Sequence, residues 1–431
     1  MTTRINRRRF LGTTAALLAG PAIITGCATK SPGRPAPSGR VVMGALGLGW
    51  QGPGNLKNFL ANKDVQVVAV CDVDQNHLAQ AKNMVDTVYG NTNCATYTRF
   101  EEMYARQDLD AVSIALPDHW HAIPAIAAAE AGLDIYGEKP LARTLAEGRA
   151  ICDAVKRNKR VWQTGSWQRS VENFHRAAEL VRNGRIGKVN YIEVGLGQGH
   201  TDYANTGGQT AFGPPPAELD NDRWLGPAPE APYCPARVHK NWRWIMAYGG
   251  GTIMDWVGHH LDIAHWAMGL DGTGPVTVEG TGVIPAEGLW DAPTDYDCVC
   301  TYASGLVIRI SSGYPMGTKW VGEDGWLFVT RGKTEAEPAS VLDEVIGENE
   351  VRLYHSRDHC GNFIDCVKSR KETITPCEVA HRSASVGHLC DIALYTGRKI
   401  RWNPKTEEIN GDPGASEMLS PTYRKPWRLN S

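Results

Sequence analysis

Three side chains capable of acid–base chemistry are spaced so that a fold could bring them together. Lys139 lies in Gly137-Glu-Lys-Pro140, directly after an apolar run of strand length. Asp255 and His259 are four residues apart in a helical pattern, which places them on one helix face within mutual reach. An imidazole can take a proton from a hydroxyl near neutral pH, and a neighbouring carboxylate can orient the ring. Because an ammonium can hold an oxygen on which negative charge develops, the set suits interconversion of a secondary alcohol and a ketone.

Plainer interpretations of these residues stay open. Lys139 can be a solvated turn lysine, and the adjacent His259 and His260 can be structural residues or metal ligands. No third ligand with open geometry is evident near the histidines, and Cys298-Val-Cys300 lacks a further His or Cys pair at zinc spacing. We therefore predict no metal site.

A glycine turn follows the first apolar run of strand length. Gly47, Gly49 and Gly52 stand between a predicted strand and a predicted helix, as a dinucleotide-binding fingerprint requires. Trp50 and Gln51 complete the turn and are expected beside the cofactor. Because glycines are common in this chain, a chance match is the alternative.

The next strand strengthens this interpretation, because it ends in Asp72, twenty residues beyond Gly52. A carboxylate there can accept both ribose hydroxyls of NAD and would repel the 2'-phosphate of NADP. Val73-Asp74 supplies no arginine to offset that charge, so NAD is the predicted cofactor. An ordinary carboxylate at a strand end is the alternative.

Two further loops are expected at the same edge of the sheet. Pro117 and His121 follow the next strand, and Glu138 follows the one after it. Ligands bind at the carboxyl ends of the strands in a doubly wound sheet, so these side chains should face the cofactor.

The order of apolar runs predicts two domains of different architecture. Over 40–165, strand-length runs alternate with helical patterns, which indicates an α/β domain with a doubly wound parallel sheet. Over 166–410 we expect an α+β domain, in which a mostly antiparallel open sheet carries helices on one face; 411–431 is a polar tail. Helices are predicted over 55–61, 76–85, 171–183, 252–268 and 378–396.

A tryptophan-rich insertion precedes the helix of Asp255. Its Asn241-Trp-Arg-Trp244 stretch offers indoles, on which the C–H faces of a sugar can stack, and a guanidinium that can hold a hydroxyl or a carboxylate. Arg243 and Trp244 are therefore predicted to contact substrate. For any one tryptophan, packing within an irregular loop is an equal alternative.

Residues 1–27 have the composition of an export signal. Arg7-Arg-Arg-Phe-Leu11 is similar to a twin-arginine signal, and Ile24-Thr-Gly-Cys27 is similar to a lipobox whose cysteine becomes lipidated. A linker rich in Pro and Gly follows over 28–39. We expect an exported, periplasmic protein with a lipid anchor at Cys27; a basic, alanine-rich tail is the alternative.

Composition excludes one class of partner. The formal net charge is −2 at pH 7 and charges of both signs are interspersed, so no basic face is available for nucleic acid. Of the eleven cysteines, Cys71, Cys298 and Cys300 fall inside apparent strands, and the chain is large enough to fold without disulfides. Most should therefore be buried thiols.

Together these residues resemble the Gfo/Idh/MocA family, which includes glucose-fructose oxidoreductase and inositol dehydrogenase. The resemblance runs from about Arg40 to Trp427 and is carried by the glycine turn, Asp72, Pro117 with His121, Glu138-Lys139-Pro140, Gln168-Arg169-Ser170, and Asp255 with His259. It implies a Rossmann domain, a second domain whose open sheet often forms a dimer face, and hence a homo-oligomer. It also implies a catalytic set of Lys139, Asp255 and His259, with Gln168 at the cofactor and Arg169 at the substrate.

Two departures from the family pattern concern the site. Gly258 stands one place later than the glycine usual between the aspartate and the histidine, and Trp50-Gln51 replaces smaller or basic residues. Neither change removes a reacting group, and Trp50 is expected to reshape the pyrophosphate end.

The expected function is that of an exported NAD(P)-binding oxidoreductase acting on a secondary alcohol of a sugar, cyclitol or glycoside. Export separates the protein from the soluble nicotinamide pool, so the NAD should be tightly bound and internally recycled. One alternative is an NAD-dependent glycosidase or lyase that oxidises its substrate transiently. Another is a sugar-binding lipoprotein without turnover.

Overall fold

The computed structural model describes residues 39–429. The predicted signal segment 1–27 with Cys27, and all but the last residue of the predicted linker 28–39, lie outside the described residues. In residues 39–429, no helix is both long and apolar enough to cross a membrane.

The first sheet is built from short apolar strands buried on both faces. Its six parallel strands lie in the order β3-β2-β1-β4-β5-β6. The strands are β1 (Val41–Leu46), β2 (Val65–Cys71), β3 (Ala95–Tyr97), β4 (Ala111–Ile114), β5 (Asp134–Gly137) and β6 (Trp162–Thr164). The predicted doubly wound sheet is confirmed. Because the strand order reverses between β1 and β4, a crevice opens at their carboxyl ends.

The helices of this domain begin close to the predicted positions. They are α1 (Gln51–Ala61), α2 (Gln75–Tyr89), α3 (Phe100–Tyr104), α4 (Ala122–Glu130) and α5 (Leu145–Arg157). The carboxylate of Asp74 caps α2, and Thr144 forms a reciprocal capping box with Glu147 at the start of α5. α1 starts at Gln51 inside the glycine turn, four residues before the predicted start, so its first turn faces the crevice.

The second sheet has nine strands in the order β13-β12-β11-β7-β10-β9-β8-β14-β15. β7 and β10 are parallel neighbours and the other pairs are antiparallel, which confirms the predicted mostly antiparallel sheet. The strands are β7 (Val189–Gly195), β8 (Thr277–Val283), β9 (Asp295–Thr301), β10 (Val307–Ser311), β11 (Gly317–Gly322), β12 (Trp326–Thr330), β13 (Lys333–Glu337), β14 (Ile400–Asn403) and β15 (Glu408–Ile409).

The helices of the second domain are α6 (Glu172–Arg182), α7 (Asn221–Leu225), α8 (Gly251–Trp256), α9 (Asp262–Met268), α10 (His359–Ser369), α11 (Cys377–Thr396) and α12 (Pro413–Glu417). The single helix predicted over 252–268 is interrupted, because a π-helical turn, Val257–Leu261, joins α8 to α9. This turn carries His259 and His260. Such turns are rare and often occur at functional sites.

The end of the chain returns to the first domain. Phe363 and Ile364 of α10 are buried in the same core as β1 and β2. The ring of Trp427 packs edge-on against Trp120 with centroids 4.8 Å apart, and the hydroxyl of Tyr423 donates to the carboxylate of Glu147. The interpretation of 411–431 as a polar tail is therefore wrong where the structure describes it, because its aromatic side chains pack on the first domain.

Cysteines in the described part of the chain are buried free thiols, as expected.

Candidate active site

A cavity of about 450 Å³ lies at the carboxyl ends of β1, β2, β4 and β5. The first domain lines it with the glycine turn, Asp72 and the loops after β4 and β5. The second domain contributes Tyr203, Trp224, His239, Trp242, Arg243, Asp255, Trp256, His259 and Arg331. The site is thus enclosed by both domains.

At two positions of the glycine turn, the surrounding backbone leaves no room for a side chain. Gly47 has φ +81°, and a Cβ there would lie 2.4 Å from the carbonyl oxygen of Ala115. A Cβ on Gly52 would lie 1.9 Å from the carbonyl oxygen of Gly47, so the first turn of α1 and the end of β1 approach as closely as a dinucleotide fold needs. Gly47, Gly49, Trp50 and Gln51 line the cavity, whereas Gly52 lies behind it and permits the approach.

Asp72 is held at the cavity wall by backbone donors. Its Oδ2 accepts from the amide of Leu48 at 2.6 Å, and its Oδ1 accepts from the amide of Asp74 at 2.9 Å. These bonds fix a carboxylate at the end of β2, where the ribose of a dinucleotide would be bound. The glycine cradle and this carboxylate fit NAD.

Donor atoms of Asp74, His77 and His239 lie within 4.8 Å of one another at the same end of the cavity. The set has metal-ligating types that the sequence analysis did not bring together, since His239 comes from the insertion. One oxygen of Asp74 is already engaged, because it accepts from the amides of Asn76 and His77 as the cap of α2. All three residues line the cavity, so they form part of its wall near Asp72.

The two loops after β4 and β5 differ from prediction in one residue. Pro117 and Glu138 line the cavity, and Glu138 accepts from Asn55 Nδ2 at 2.7 Å. Burial raises the pKa of Glu138 despite that bond. His121 does not face the cofactor, because its ring nitrogens bond the carbonyls of Pro140 at 2.7 Å and Leu116 at 2.8 Å. It ties the two loops together from behind.

Lys139 and Asp255 form the centre of the site. Lys139 Nζ donates to Asp255 Oδ1 at 2.8 Å and to the Asp255 carbonyl at 2.7 Å. Arg243 Nε lies 3.3 Å from the same Oδ1. Burial alone would raise the pKa of Asp255, but the charges of Lys139 and Arg243 outweigh it and hold that pKa well below its usual range. Asp255 is thus a permanent anion shared by two cations.

His259 lies beside this centre as a neutral imidazole. It is 5% exposed, and its buried Nδ1 has no hydrogen-bond partner. Burial first, and then the charges of Lys139 and Arg331, lower the pKa of His259 well below its ordinary value. The ring is flanked by Trp167 and Trp256, with centroids at 6.0 and 5.5 Å.

Asp255 is predicted to orient the ring of His259, but other side chains hold that ring in place. The carboxylate of Asp255 bonds Lys139 and Arg243, and the two indoles flank the imidazole. Because the helix changes to π geometry at Val257, four-residue spacing no longer stacks the two side chains. Asp255 still acts on His259 through its charge, which favours the imidazolium.

Arg169 and Gln168, predicted at the substrate and at the cofactor, do not line the cavity. Arg169 is 2% exposed and is bound by Asp262 at 2.6 Å and Asp271 at 2.8 Å, so it is a buried ion pair and not a substrate contact. Gln168 lies behind the cavity, with His260 Nδ1 and Arg331 Nε each 3.4 Å away.

Trp244 packs within the insertion and not against the cavity. Its Nε1 donates to the carbonyl of Thr201 at 2.8 Å, and its ring stacks on His200 with centroids 5.2 Å apart. Trp242, two residues earlier, lines the cavity in its place, next to Arg243.

Among the cavity residues that the sequence does not predict are two ionisable ones, Asp118 and Arg331. Asp118 is 5% exposed and lines the cavity, and burial raises its pKa to about 7 even though Arg243 and Lys139 oppose that shift. Its position between Pro117 and His121, two predicted site residues, is a feature of the sequence from which it could be predicted. Arg331 comes from the β12–β13 turn, where the local sequence carries no sign of a site.

Family comparisons agree with this arrangement. The model of an oxidoreductase family described as an NAD-binding Rossmann fold matches residues 41–166, and the model of an oxidoreductase family C-terminal alpha/beta domain matches 172–429. Between them these matches cover nearly all of the described chain.

Named relatives are similar over a shorter stretch. A glycosyl hydrolase family 109 protein of Shewanella pealeana is 33% identical over 175 residues, 36% of this chain and 38% of that protein. An alpha-N-acetylgalactosaminidase of Shewanella oneidensis is 30% identical over 178 residues, again 36% of this chain and 38% of that protein. The matched stretch thus spans about two fifths of the length of these relatives.

Among solved structures, scyllo-inositol dehydrogenase from Lactobacillus casei with bound NAD(H) and scyllo-inositol superposes with a TM-score of 0.60. The match covers 84% of this chain and 99% of that one at 15% identity. At that identity the likeness shows the fold alone.

Proposed function

The chain belongs to the Gfo/Idh/MocA family of NAD-binding oxidoreductases, and on that premise we propose that it acts on a secondary alcohol of a sugar, cyclitol or glycoside. The observation that carries the proposal is the contact of Lys139 with Asp255, beside a neutral His259, in the cavity that the glycine turn also lines. NAD, when bound, supplies the acceptor and donor of a hydride.

Each side chain has a defined task in this reaction. Lys139 holds the substrate oxygen, and its ammonium stabilises negative charge that develops there. His259 is in its basic form because of its low pKa, so it can accept the proton of the substrate hydroxyl. Asp255 fixes Lys139 through two hydrogen bonds. The indoles beside His259 exclude water from the imidazole.

A second candidate is an NAD-dependent glycosidase that uses the same residues. Asp118 favours it, because a carboxyl group with a pKa of about 7 in the cavity can donate a proton to a leaving group or withdraw one from carbon. Relatives named as glycosyl hydrolases support this candidate over the part of the chain that they match.

A panel of sugars and nitrophenyl glycosides distinguishes the two. We expect absorbance of the reduced nicotinamide to rise in the holoenzyme when an oxidisable sugar is added. Release of nitrophenol without net reduction would identify the glycosidase. A protein that binds sugars and gives neither signal would contradict both proposals.

We further propose that the protein is exported with NAD already bound and retains it. The arginines at 7–9 support export. The insertion supports retention, since Gln75 N donates to Glu218 O at 3.0 Å, Asp220 N donates to Val73 O at 3.1 Å, and His119 N donates to Tyr248 O at 3.1 Å. These bonds close the insertion over the nucleotide end of the cavity.

Retention is measured on protein purified without added nucleotide. Acid extraction followed by chromatography should recover close to one NAD(H) per chain, because release over hours requires a Kd far below about 1 µM. A preparation that is empty, and active only with added NAD, would contradict the proposal.

A homo-oligomer formed through the nine-stranded sheet is also proposed. Helices α6, α9 and α11 pack on one face of this sheet, and the other face presents Tyr191, Lys319 and Trp326. Light scattering should report a dimer or larger species that Trp326→Glu dissociates. A monomeric parent protein would rule this out.

A further inference from the structure

Arg331 reaches the cavity from the turn between β12 and β13. Its guanidinium carbon lies 4.5 Å from the ring centroid of Trp167 and 4.7 Å from that of Trp256. These are the same two indoles that flank His259. The cation is therefore held between two aromatic faces beside the proposed general base.

No carboxylate in residues 39–429 pairs with Arg331 within 4.0 Å, and its Nε lies 3.4 Å from the neutral Oε1 of Gln168. The nearby anion, Asp255, is already shared by Lys139 and Arg243. The charge of Arg331 is consequently not balanced by a direct partner.

The charged groups around Lys139 and His259 determine the net charge of this part of the cavity. Lys139, Arg243 and Arg331 are cations, Asp255 is the permanent anion, and His259 is neutral. Burial keeps Asp118 protonated over much of the range below pH 7. Two positive charges are therefore left over, and they lower the affinity of His259 for the proton it has to accept.

A positioned guanidinium with free donors is well suited to bind an anion. Its planar fork matches a carboxylate or sulfate, and the two indoles restrict its rotamers before a ligand arrives. Arg331 is also exposed, so a ligand in the cavity can reach it. An apolar side chain would pack between the two rings without placing a charge next to His259.

We propose that the substrate is an anionic sugar, with a carboxylate or sulfate group that binds Arg331 while the reacting hydroxyl lies between Lys139 and His259. The inference deepens the proposed function and rests on it for the placement of the hydroxyl. The anion neutralises one of the two excess positive charges. It also restores proton affinity to His259 at the moment the base is needed.

The test compares matched sugars on the NAD-loaded protein. Methyl glucuronide, methyl glucoside 6-sulfate and methyl glucoside differ mainly in the anionic group, and the same three derivatives of galactose form a second series. Binding is followed by tryptophan fluorescence, which Trp167 and Trp256 make sensitive to this subsite and which needs no turnover. In one series or both we expect an anionic member to bind at least about tenfold more tightly than the neutral one.

Arg331→Met removes the charge and keeps a side chain that fills the space between the indoles. The anionic preference should fall to within about twofold, and Arg331→Lys should recover part of the preference. Arg357→Met, which removes an exposed arginine outside the cavity, is the matched control and should leave the preference unchanged.

The outcomes separate this inference from the proposed function. Equal binding of neutral and anionic sugars to the parent protein, or a preference that survives in Arg331→Met, would overturn the anion subsite even if hydride chemistry is seen. An anionic preference that Arg331→Met abolishes, in a protein that neither reduces its cofactor nor releases an aglycone, would keep the subsite and refute the oxidoreductase.

Discussion

Arg243 and Arg331 are both packed between two tryptophan rings, yet their electrostatic surroundings differ. The guanidinium carbon of Arg243 lies 4.4 Å from the centroids of both Trp50 and Trp242, and its Nε lies 3.3 Å from Asp255 Oδ1. Arg331 has the same aromatic packing at 4.5 and 4.7 Å but lies beside the amide of Gln168.

The difference shows that aromatic packing fixes where a guanidinium lies, whereas its nearest polar partner decides what it does. Arg243 has an internal anion, so its charge helps to keep Asp255 ionised in a buried site. It also links the insertion to Trp50 of the glycine turn. Arg331 has no internal anion among the described residues, and its charge is available to a ligand. Substitutions should therefore distinguish a cation that supports Asp255 with every substrate from one that binds directly only to anionic substrates.

The largest effect should come from Lys139→Ala. This change removes the ammonium that bonds Asp255, the carboxylate that Arg243 also contacts. Turnover should fall by roughly a hundredfold or more for neutral and anionic sugars alike, the scale seen when a group stabilising developing charge is lost. NAD content should be unchanged, because Lys139 is outside the glycine turn. Steady-state kinetics beside exposed Lys57→Ala provide the check, and turnover within about twofold of the parent would contradict the role of Lys139.

Arg243→Met should give the next largest loss, about tenfold in kcat/KM, the scale of a hydrogen bond to a charged group. The loss should be equal for neutral and anionic members of each sugar pair, because Arg243 acts through Asp255 and not on the substrate anion. Arg331→Met provides the contrast in the same assay. If Arg243→Met lost only the anionic substrates, the distinction between the two arginines would be wrong.

The predicted site residues of the first domain that do lie at the cavity follow the ends of parallel strands. Gly47, Asp72 and Lys139 follow β1, β2 and β5, and a doubly wound sheet places all three ends at one edge. The local pattern was enough because each strand fixes the residue that follows it. Asp118 obeys the same rule after β4 and could have been included.

The residues that the sequence misplaced depend on contacts distant along the chain. The sequence places Arg169 at the substrate, although its buried partners Asp262 and Asp271 lie in α9 and beyond it. Arg331 was missed because only the packing of the β12–β13 turn against Trp167 brings it to the cavity. The sequence identifies His259 by its residue type. The π-helical turn, which determines the residues that surround His259, cannot be recognised from the four-residue spacing of Asp255 and His259.

A smaller effect is expected from Asp118→Asn. Burial raises the pKa of Asp118 to about 7, although the charge of Arg243 opposes that shift. Between its usual pKa near 4 and 7, the folded protein binds a proton that the unfolded chain does not, so this carboxyl makes the protein less stable as pH rises. Asparagine does not titrate. The free energy of unfolding of the variant relative to the parent should therefore increase from pH 5 to pH 7, by on the order of 1 kcal/mol.

Urea unfolding of both proteins at matched NAD content measures this difference, with exposed Asp365→Asn as the control. A relative stability that does not change with pH would mean that Asp118 is ionised in the folded protein throughout this range. In that case the excess positive charge near Arg331 would be smaller than we infer.

The smallest expected effect concerns the acid limb of the pH profile for a neutral sugar. The charges of Lys139 and Arg331, with His260, lower the pKa of His259 below the value set by burial, whereas Asp255 raises it. Arg331→Met removes one of these cations, so the pKa of His259 should rise and the acid limb of kcat/KM should move to higher pH, by up to about one unit. Arg243→Met should not give the same shift through this route, since Arg243 is not among the charges that act most strongly on His259. An acid limb that stayed in place or moved to lower pH in Arg331→Met would show that the base is a group other than His259, or that Arg331 is too well solvated to act on it.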